Sequence, residues 1–384
     1  MGIFNFQFEP APRIICELGA SLRLNSYLED CRHVFVVTDS GLVQAGIIEQ
    51  PVAALINSGV NVTVYDGVKP DPSEHVVLAA AEAARSAGAD CVVGFGGGSS
   101  LDTAKLVALL ASTPQSLRDI YGSQQARGSR LRLIQVPTTA GTGSEVTPTA
   151  VVSTPDHQKK GVISRLLLPD VAVLDAGMIV TLPPATTATT GIDTMVHAIE
   201  AYTSRNRKNP LSDQFSIRSL QLSHTYMGRA IADGTDLQAR QALLLSSLMA
   251  GIAFANSPVA AIHALAHPLG SHFHLPHGLA NALVMMPVLR FNLPAAELQY
   301  AELARALHPE LREATDFVAA EAFMITIAKH VTKAPIPQRL RDVDIRKTDL
   351  PKLVDAAMTV QRLLVNNPRE VGYSDALQIY NEAY

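Results

Sequence analysis

Hydrophobic and polar residues follow two different patterns along this chain. Up to about residue 180, short β-branched runs alternate with stretches of helical period. Residues 33–38 and 91–95 are nearly continuous apolar runs, the first read as a buried strand, and the short β-branched runs 60–65 and 131–136 read as two further strands. Between them, residues 74–88 and 101–112 carry the 3.6-residue repeat of helices. Such alternation predicts a parallel sheet covered by helices. After Leu182-Pro183-Pro184 the strand signal fades and amphipathic helical patterns continue to the end. The expected architecture is an α/β N-terminal domain with a parallel sheet over residues 1–182, followed by an all-α domain over residues 183–384. No internal repeat or low-complexity tract interrupts either half.

A length of 384 residues allows each half to bury its own core. The chain is 47% hydrophobic and 17% charged, with a formal charge of -4 and no Lys/Arg block longer than Lys159-Lys160, so a nucleic-acid partner is not expected. Nor is a membrane: apolar runs such as residues 242–255 are broken by Ser and Gly and fall short of the roughly 20 residues of a span. The chain does not open on a charged segment followed by an apolar one, so no signal peptide is read. Cys16, Cys31 and Cys91 are odd in number and scattered, which argues against a disulfide framework and for a reducing, cytoplasmic setting.

Three segments of the first half have the composition of a ligand site. The third strand runs into Gly94-Phe95-Gly96-Gly97-Gly98-Ser99-Ser100-Leu101-Asp102. This is neither GxGxxG nor a Walker loop, yet the physics is similar. Consecutive glycines let backbone approach a ligand, and Ser99 or Ser100 is expected to cap a helix whose N-terminus attracts a pyrophosphate. Ser99-x-x-Asp102 also fits a plain capping arrangement. Asp39, directly after the first strand of this series, is placed to accept from a ribose diol and to repel a 2'-phosphate, which favours NAD over NADP; a turn or helix-cap Asp is the competing reading. The third segment, residues 135–145, follows a strand with small and hydroxyl residues that suit a cofactor's surface.

In the second half, one aspartate and four histidines are set at metal-binding spacings: Asp193-x3-His197, then His263-x3-His267-Pro268 and His277. Residues i and i+4 share a helix face, so each pair can grip one ion. Pro268 is expected to end or bend the second helix, and His277 to return from a turn at Pro276. Imidazoles with one carboxylate suit Fe(II), Zn(II), Co(II) or Ni(II) better than Ca(II) or Mg(II). Spacing alone does not exclude His272 and His274, whereas His224 and His308 read as ordinary hydrogen-bonded core histidines.

Taken together, Gly96-Gly97-Gly98-Ser99, residues 137–145, Gly191-Ile192-Asp193-x3-His197-Ala198-Ile199-Glu200, the His263 to Gly278 segment and Asn367-Pro368-Arg369 resemble the iron-containing (group III) alcohol dehydrogenases over nearly the whole chain. The resemblance implies NAD(P) and a metal in a cleft between an α/β and an all-helical domain. It implies Asp193, His197, His263 and His277 as metal ligands, with Fe(II) or else Zn(II) bound. Gly96, Gly97, Gly98 and Ser99, with Asp102, would hold the pyrophosphate of NAD, and Asp39 the adenosine ribose. Thr138 and Thr139 would line the dinucleotide, with Thr147, Thr149 and Lys160 around its nicotinamide half. His267 would be a cleft histidine acting on the proton path rather than a ligand. The implied reaction is reversible hydride transfer between NAD and a primary alcohol or aldehyde, in a homodimer or larger homo-oligomer.

The sequence departs from the family pattern at Asn256-Ser257-Pro258, where Pro258 is expected to start or reshape the third ligand's helix. It departs again at residues 358–361. Enzymes like dehydroquinate synthase, glycerol dehydrogenase or maleylacetate reductase are the rival readings on the same architecture.

Overall fold

The computed structural model describes residues 5–155 and 158–384. The chain falls into two compact units, one spanning Pro10–Thr181, the other Leu182–Tyr384 together with the described residues ahead of Pro10. Those leading residues are tied in by a 2.6 Å hydrogen bond from the Glu9 N–H to Asn256 Oδ1 and by Phe8 stacking on Phe215.

The first unit has strands β1 (Arg13–Cys16), β2 (His33–Asp39), β3 (Asn61–Val68), β4 (Cys91–Gly96), β5 (Gly122–Ser123), β6 (Arg132–Pro137), β7 (Thr149–Ser153), β8 (Lys159–Ile163) and β9 (Val171–Leu174). Six of them form a sheet in the order β1-β9-β6-β4-β2-β3, with every pairing parallel. The four strands expected from sequence are its centre and one edge. β1 and β9 complete it, and β5, β8 and β7 form a separate small sheet. Both faces of the inner strands β2, β4, β6 and β9 are buried, while the edge strands β1 and β3 are largely exposed. Val34, Val36, Val93 and Phe95 face one core, while Phe35, Val37, Val92 and Leu133 face another that includes Leu106 and Val107.

Helices α1 (Ser40–Gln44), α2 (Glu49–Asn57), α3 (Glu74–Ser86) and α4 (Gly98–Leu110) connect the strands. β3 lies on one side of β2, and β4, β6 and β9 lie on the other. The carboxyl ends of β2 and β4 therefore flank the point where strand order reverses, which is where open parallel sheets bind ligands.

The second unit is helical: α5 (Pro184–Thr203), α6 (Pro210–Ala232), α7 (Leu237–Asn256), α8 (Ala261–Phe273), α9 (His277–Leu307), α10 (Asp316–Lys333), α11 (Leu350–Met358), α12 (Gln361–Leu364) and α13 (Tyr373–Ala383). α7 and α9 are long and apolar enough to cross a membrane by length and composition, but 61% of each apolar window is buried within the protein. Their apolar character serves the core of the bundle.

Neither of the two prolines marks a helix boundary. α8 does not end at Pro268 but runs on to Phe273, where His274 in the left-handed region (φ 55°) stops it. Pro258 does not start α8 either. It lies in the break after α7, and Ala260 is the residue ahead of the first turn. In that break Ser257 donates to the Ala201 carbonyl at 2.6 Å, and Asn256 Nδ2 donates to the Ile252 carbonyl at 3.0 Å. The departure at these residues thus fastens α7 to α5 and to its own last turn.

Candidate active site

In the helical unit, α5 carries Asp193 and His197 on one face, α8 carries His263, and His277 is the first residue of α9 after Pro276. Their ligand atoms all lie within 4.8 Å of one another, and this is the group of metal-ligand type found among the described residues. Asp193, His197 and His263 are buried and His277 is exposed. α9 can bring His277 this close because residue 278 is glycine: a Cβ there would lie 2.5 Å from the Thr189 carbonyl oxygen of α5.

The surroundings orient the rings. Glu200 Oε2 is 2.6 Å from His263 Nδ1, so that nitrogen carries the proton and donates, leaving the Nε2 lone pair free for a ligand role. The other carboxylate oxygen accepts from the Ile262 N–H at 2.6 Å. Burial pushes the Glu200 carboxyl up to about 7. Burial also pushes His263 well below its ordinary pKa, helped by the neighbouring His197 and His277, so its ring is neutral. Burial alone would raise Asp193, but His197, His277 and His263 outweigh it and hold the carboxylate below its usual range. His197 is sandwiched between Phe254 and His263, with ring centroids 4.5 and 4.7 Å away.

Asn281, one turn into α9, marks where these lone pairs converge. Its Nδ2 lies 2.6 Å from Asp193 Oδ1, 3.3 Å from His263 Nε2 and 3.2 Å from His277 Nε2. Its own Oδ1 is buried with no hydrogen-bond partner. Three imidazoles and one carboxylate converging on a single point are the donor set of a borderline divalent cation, and the residues fit one.

His267 stands one helical turn beyond His263, half-buried and outside the four-residue group. His272 and His274 are exposed at the end of α8 and lie outside the four-residue group. His224 and His308 are partnered: His224 Nδ1 lies 3.0 Å from His330 Nε2, and His308 Nε2 lies 2.9 Å from Thr326 Oγ1.

In the α/β unit, β4 delivers the glycine loop. Gly96 has φ 152°, and a Cβ there would lie 2.4 Å from that of Ser100, so only glycine fits. The residue capping α4 is Gly97, with no side-chain cap, and not Ser99 or Ser100, which lie inside the first turn. Ser99 Oγ instead accepts from the Asp71 N–H at 3.3 Å. A helix start without a side-chain cap leaves its N–H groups for an anion, which suits a pyrophosphate better than the expected serine cap would. A Cβ on Gly98 would press on Thr142 at 3.1 Å, and one on Gly97 would touch Thr139 at 3.4 Å. The cradle fits a dinucleotide's phosphates.

Asp39 caps a helix and also borders the glycine loop. Its Oδ1 accepts from the Leu42 N–H at 3.1 Å and so caps α1, while Oδ2 lies 3.8 Å from the Cβ position of Gly96. Asp102 binds protein: it accepts from Ser144 Oγ at 2.6 Å and from the Val151 N–H at 2.9 Å. That braces α4 against the loop and β7. Lys105, fully buried, donates to Thr147 Oγ1 at 3.1 Å and to the Thr149 carbonyl at 2.7 Å, so both threonines are braced from below. Thr138 is buried and its N–H donates to the Gly96 carbonyl at 2.9 Å, whereas Lys160 is exposed on β8.

Sequence reasoning leaves Asn281, Phe254 and the task of Glu200 unassigned. Glu200 has a signal, since it follows His197 on the same helix. Asn281 stands one turn after His277, a weaker signal of the same kind.

A switch-point phosphate cradle in one unit, and a centre of three histidines and one aspartate in the other, define a metal-dependent dinucleotide enzyme. Residues 11–176 match the family described as iron-containing alcohol dehydrogenase, and residues 187–384 match its C-terminal domain. The long-chain-alcohol dehydrogenase 1 of Geobacillus thermodenitrificans is 36% identical over 92% of this chain and 90% of its own. A crystal structure of 1,3-propanediol oxidoreductase superposes with a TM-score of 0.95 at 30% identity, covering 99% of this chain and 100% of the other. Sulfoacetaldehyde reductase from Bifidobacterium kashiwanohense, solved with NAD+, has a TM-score of 0.90 at 27% identity, covering 99% and 98%. The chain belongs to the iron-containing alcohol dehydrogenase family, and membership implies a nicotinamide dinucleotide and a divalent metal.

Proposed function

We propose that this protein interconverts a small primary alcohol and its aldehyde with NAD, using Fe(II) in the cell and Zn(II) as the alternative occupant. The observation that carries the reading is the convergence of Asp193, His197, His263 and His277, with Glu200 fixing the tautomer of His263. When bound, the ion supplies Lewis acidity toward the substrate oxygen and the nicotinamide supplies the hydride chemistry.

The chain's own residues do the rest. The four ligands and Glu200 hold the ion's position, and Phe254 lays an apolar ring against His197 that keeps water from that side. Gly96, Gly97, Gly98 and Ser99 receive the pyrophosphate and Asp39 the ribose. Thr138, Thr139, Thr147, Thr149 and Lys160 stand toward the rest of the dinucleotide. His267 takes the alcohol proton on a ring nitrogen and passes it toward solvent. A cytoplasmic homo-oligomer, a dimer or larger, completes the proposal; the free cysteines suit that compartment.

The test is the absorbance of reduced nicotinamide over a panel of alcohols and aldehydes. Net NADH formation from alcohols and net consumption with aldehydes are expected. Turnover with no net change in NADH would point to a lyase of the dehydroquinate-synthase kind, and full activity after metal removal to a maleylacetate-reductase kind.

A further inference from the structure

The helix that opens on the glycine loop carries a lysine where an apolar side chain would pack at lower cost. Lys105 ends the second turn of α4 and is fully buried. An ammonium taken out of water persists only where acceptors meet it. Its three N–H groups find three: the Thr149 carbonyl at 2.7 Å, Thr147 Oγ1 at 3.1 Å and Asp102 Oδ1 at 3.4 Å. Burial pulls the Lys105 pKa down, and the neighbouring Asp102 and Glu145 oppose the shift.

Those acceptors belong to two different parts of the unit. Asp102 stands on α4, the helix whose uncapped first turn faces the pyrophosphate site. Thr147 follows the single turn Ser144–Val146, and Thr149 opens β7, which pairs with the strand of Lys160. Asp102 adds two ties of its own, accepting from Ser144 Oγ at 2.6 Å and from the Val151 N–H at 2.9 Å. Four hydrogen bonds thus cross from α4 to residues 144–151, and Lys105 supplies two of them.

We infer that Lys105 is a positioning residue for hydride transfer. It holds Thr147 and Thr149 in register with the pyrophosphate cradle, so that the grip on one half of the dinucleotide places the other half. The inference rests on the dinucleotide reading above, with these threonines toward the nicotinamide half, and deepens it. Lys105 acts from beneath, through the threonines. A nicotinamide displaced by about an ångström loses rate far more than the alcohol loses binding.

The experiment compares NADH with ADP on the metal-loaded enzyme. Both ligands carry the adenosine ribose and two phosphates, and NADH alone carries the nicotinamide half. Lys105→Met fills similar space without donors. It should lower the affinity for NADH roughly tenfold relative to that for ADP, measured by calorimetry. It should also lower kcat about 10- to 100-fold, with the alcohol's KM changed less. Loss of the charge beside Asp102, or a general loosening of the unit, would weaken both ligands alike and leave the ratio unmoved. Lys105→Gln keeps two donors and should restore part of the ratio and part of kcat. If Lys105→Met leaves the ratio at the wild-type value, or if neither variant folds, Lys105 is scaffold and the inference is wrong. A wild type that binds neither ADP nor NADH refutes the dinucleotide reading itself.

Discussion

Replacing Glu200 by Gln removes one charge and one acceptor while keeping the shape, so its effect can be worked from the hydrogen bonds. Glu200 accepts from two buried donors, Ile262 N–H and His263 Nδ1–H, each at 2.6 Å. A glutamine has a single acceptor oxygen. If it serves Ile262, its amide N–H groups face His263 Nδ1, and the ring must move its proton to Nε2, the atom needed as ligand. If it serves His263, the Ile262 N–H faces another donor. One buried donor is stranded or the wrong tautomer is imposed. The cost is about 1–3 kcal/mol in the metal-free protein, and roughly 2–4 °C in Tm for each kcal/mol in a unit of this size. Metal affinity should fall roughly 10- to 100-fold, the usual consequence of losing the partner that orients a ligating histidine. Chelator competition on wild type and Glu200→Gln measures the affinity, and thermal melts of the metal-free proteins measure the cost. A variant with wild-type metal affinity and an unchanged Tm would refute the argument that Glu200 sets the tautomer.

Gly96→Ala places a Cβ 2.4 Å from Ser100 Cβ in a backbone region that L-residues avoid. Fluorescence titration should then show loss of NADH binding, with stability lower by about 1–3 kcal/mol. Asp39→Asn keeps the cap on the Leu42 N–H but removes the charge, so the ratio of NADP to NAD use should rise about tenfold in kcat/KM. Distant from the active site, burial lowers His330 to about 4, beside His224. The folded state prefers the neutral ring, so this contribution is present in full above pH 6.5, the unfolded value, and is lost as pH falls toward 4. At about 1.4 kcal/mol per pH unit the loss is about 3 kcal/mol. Denaturant titrations of metal-free wild type and His330→Phe at both ends of that window should differ by about this amount.

Features governed by local period are legible in the sequence. The i,i+4 spacing puts Asp193 and His197 on one face of α5, and the apolar runs of β2, β4 and β6 announce strands covered on both sides. β1 and β9 are only four residues each, too short to impose a pattern, and they gain their place by pairing with one another and with β6. The α4 cap escapes a sequence reading because a glycine run hides the cap position, leaving the serines as the visible candidates. Pro268 looks like a stop because a proline removes one backbone donor, yet α8 carries it a turn and more before Phe273. Asn281 and Phe254 are silent because each acts on partners brought near by tertiary packing, as Asn281 does across 88 residues to Asp193.

Anaerobic titration of metal-free protein with Fe(II), following both bound iron and NADH formation from an alcohol, tests the central claim most directly. The account predicts that activity rises in proportion to iron and stops at about one ion per chain, as expected for one four-ligand site, and that His263→Ala neither retains the ion nor turns over. Activity independent of added metal, or a His263→Ala protein that binds iron like the wild type, would contradict it.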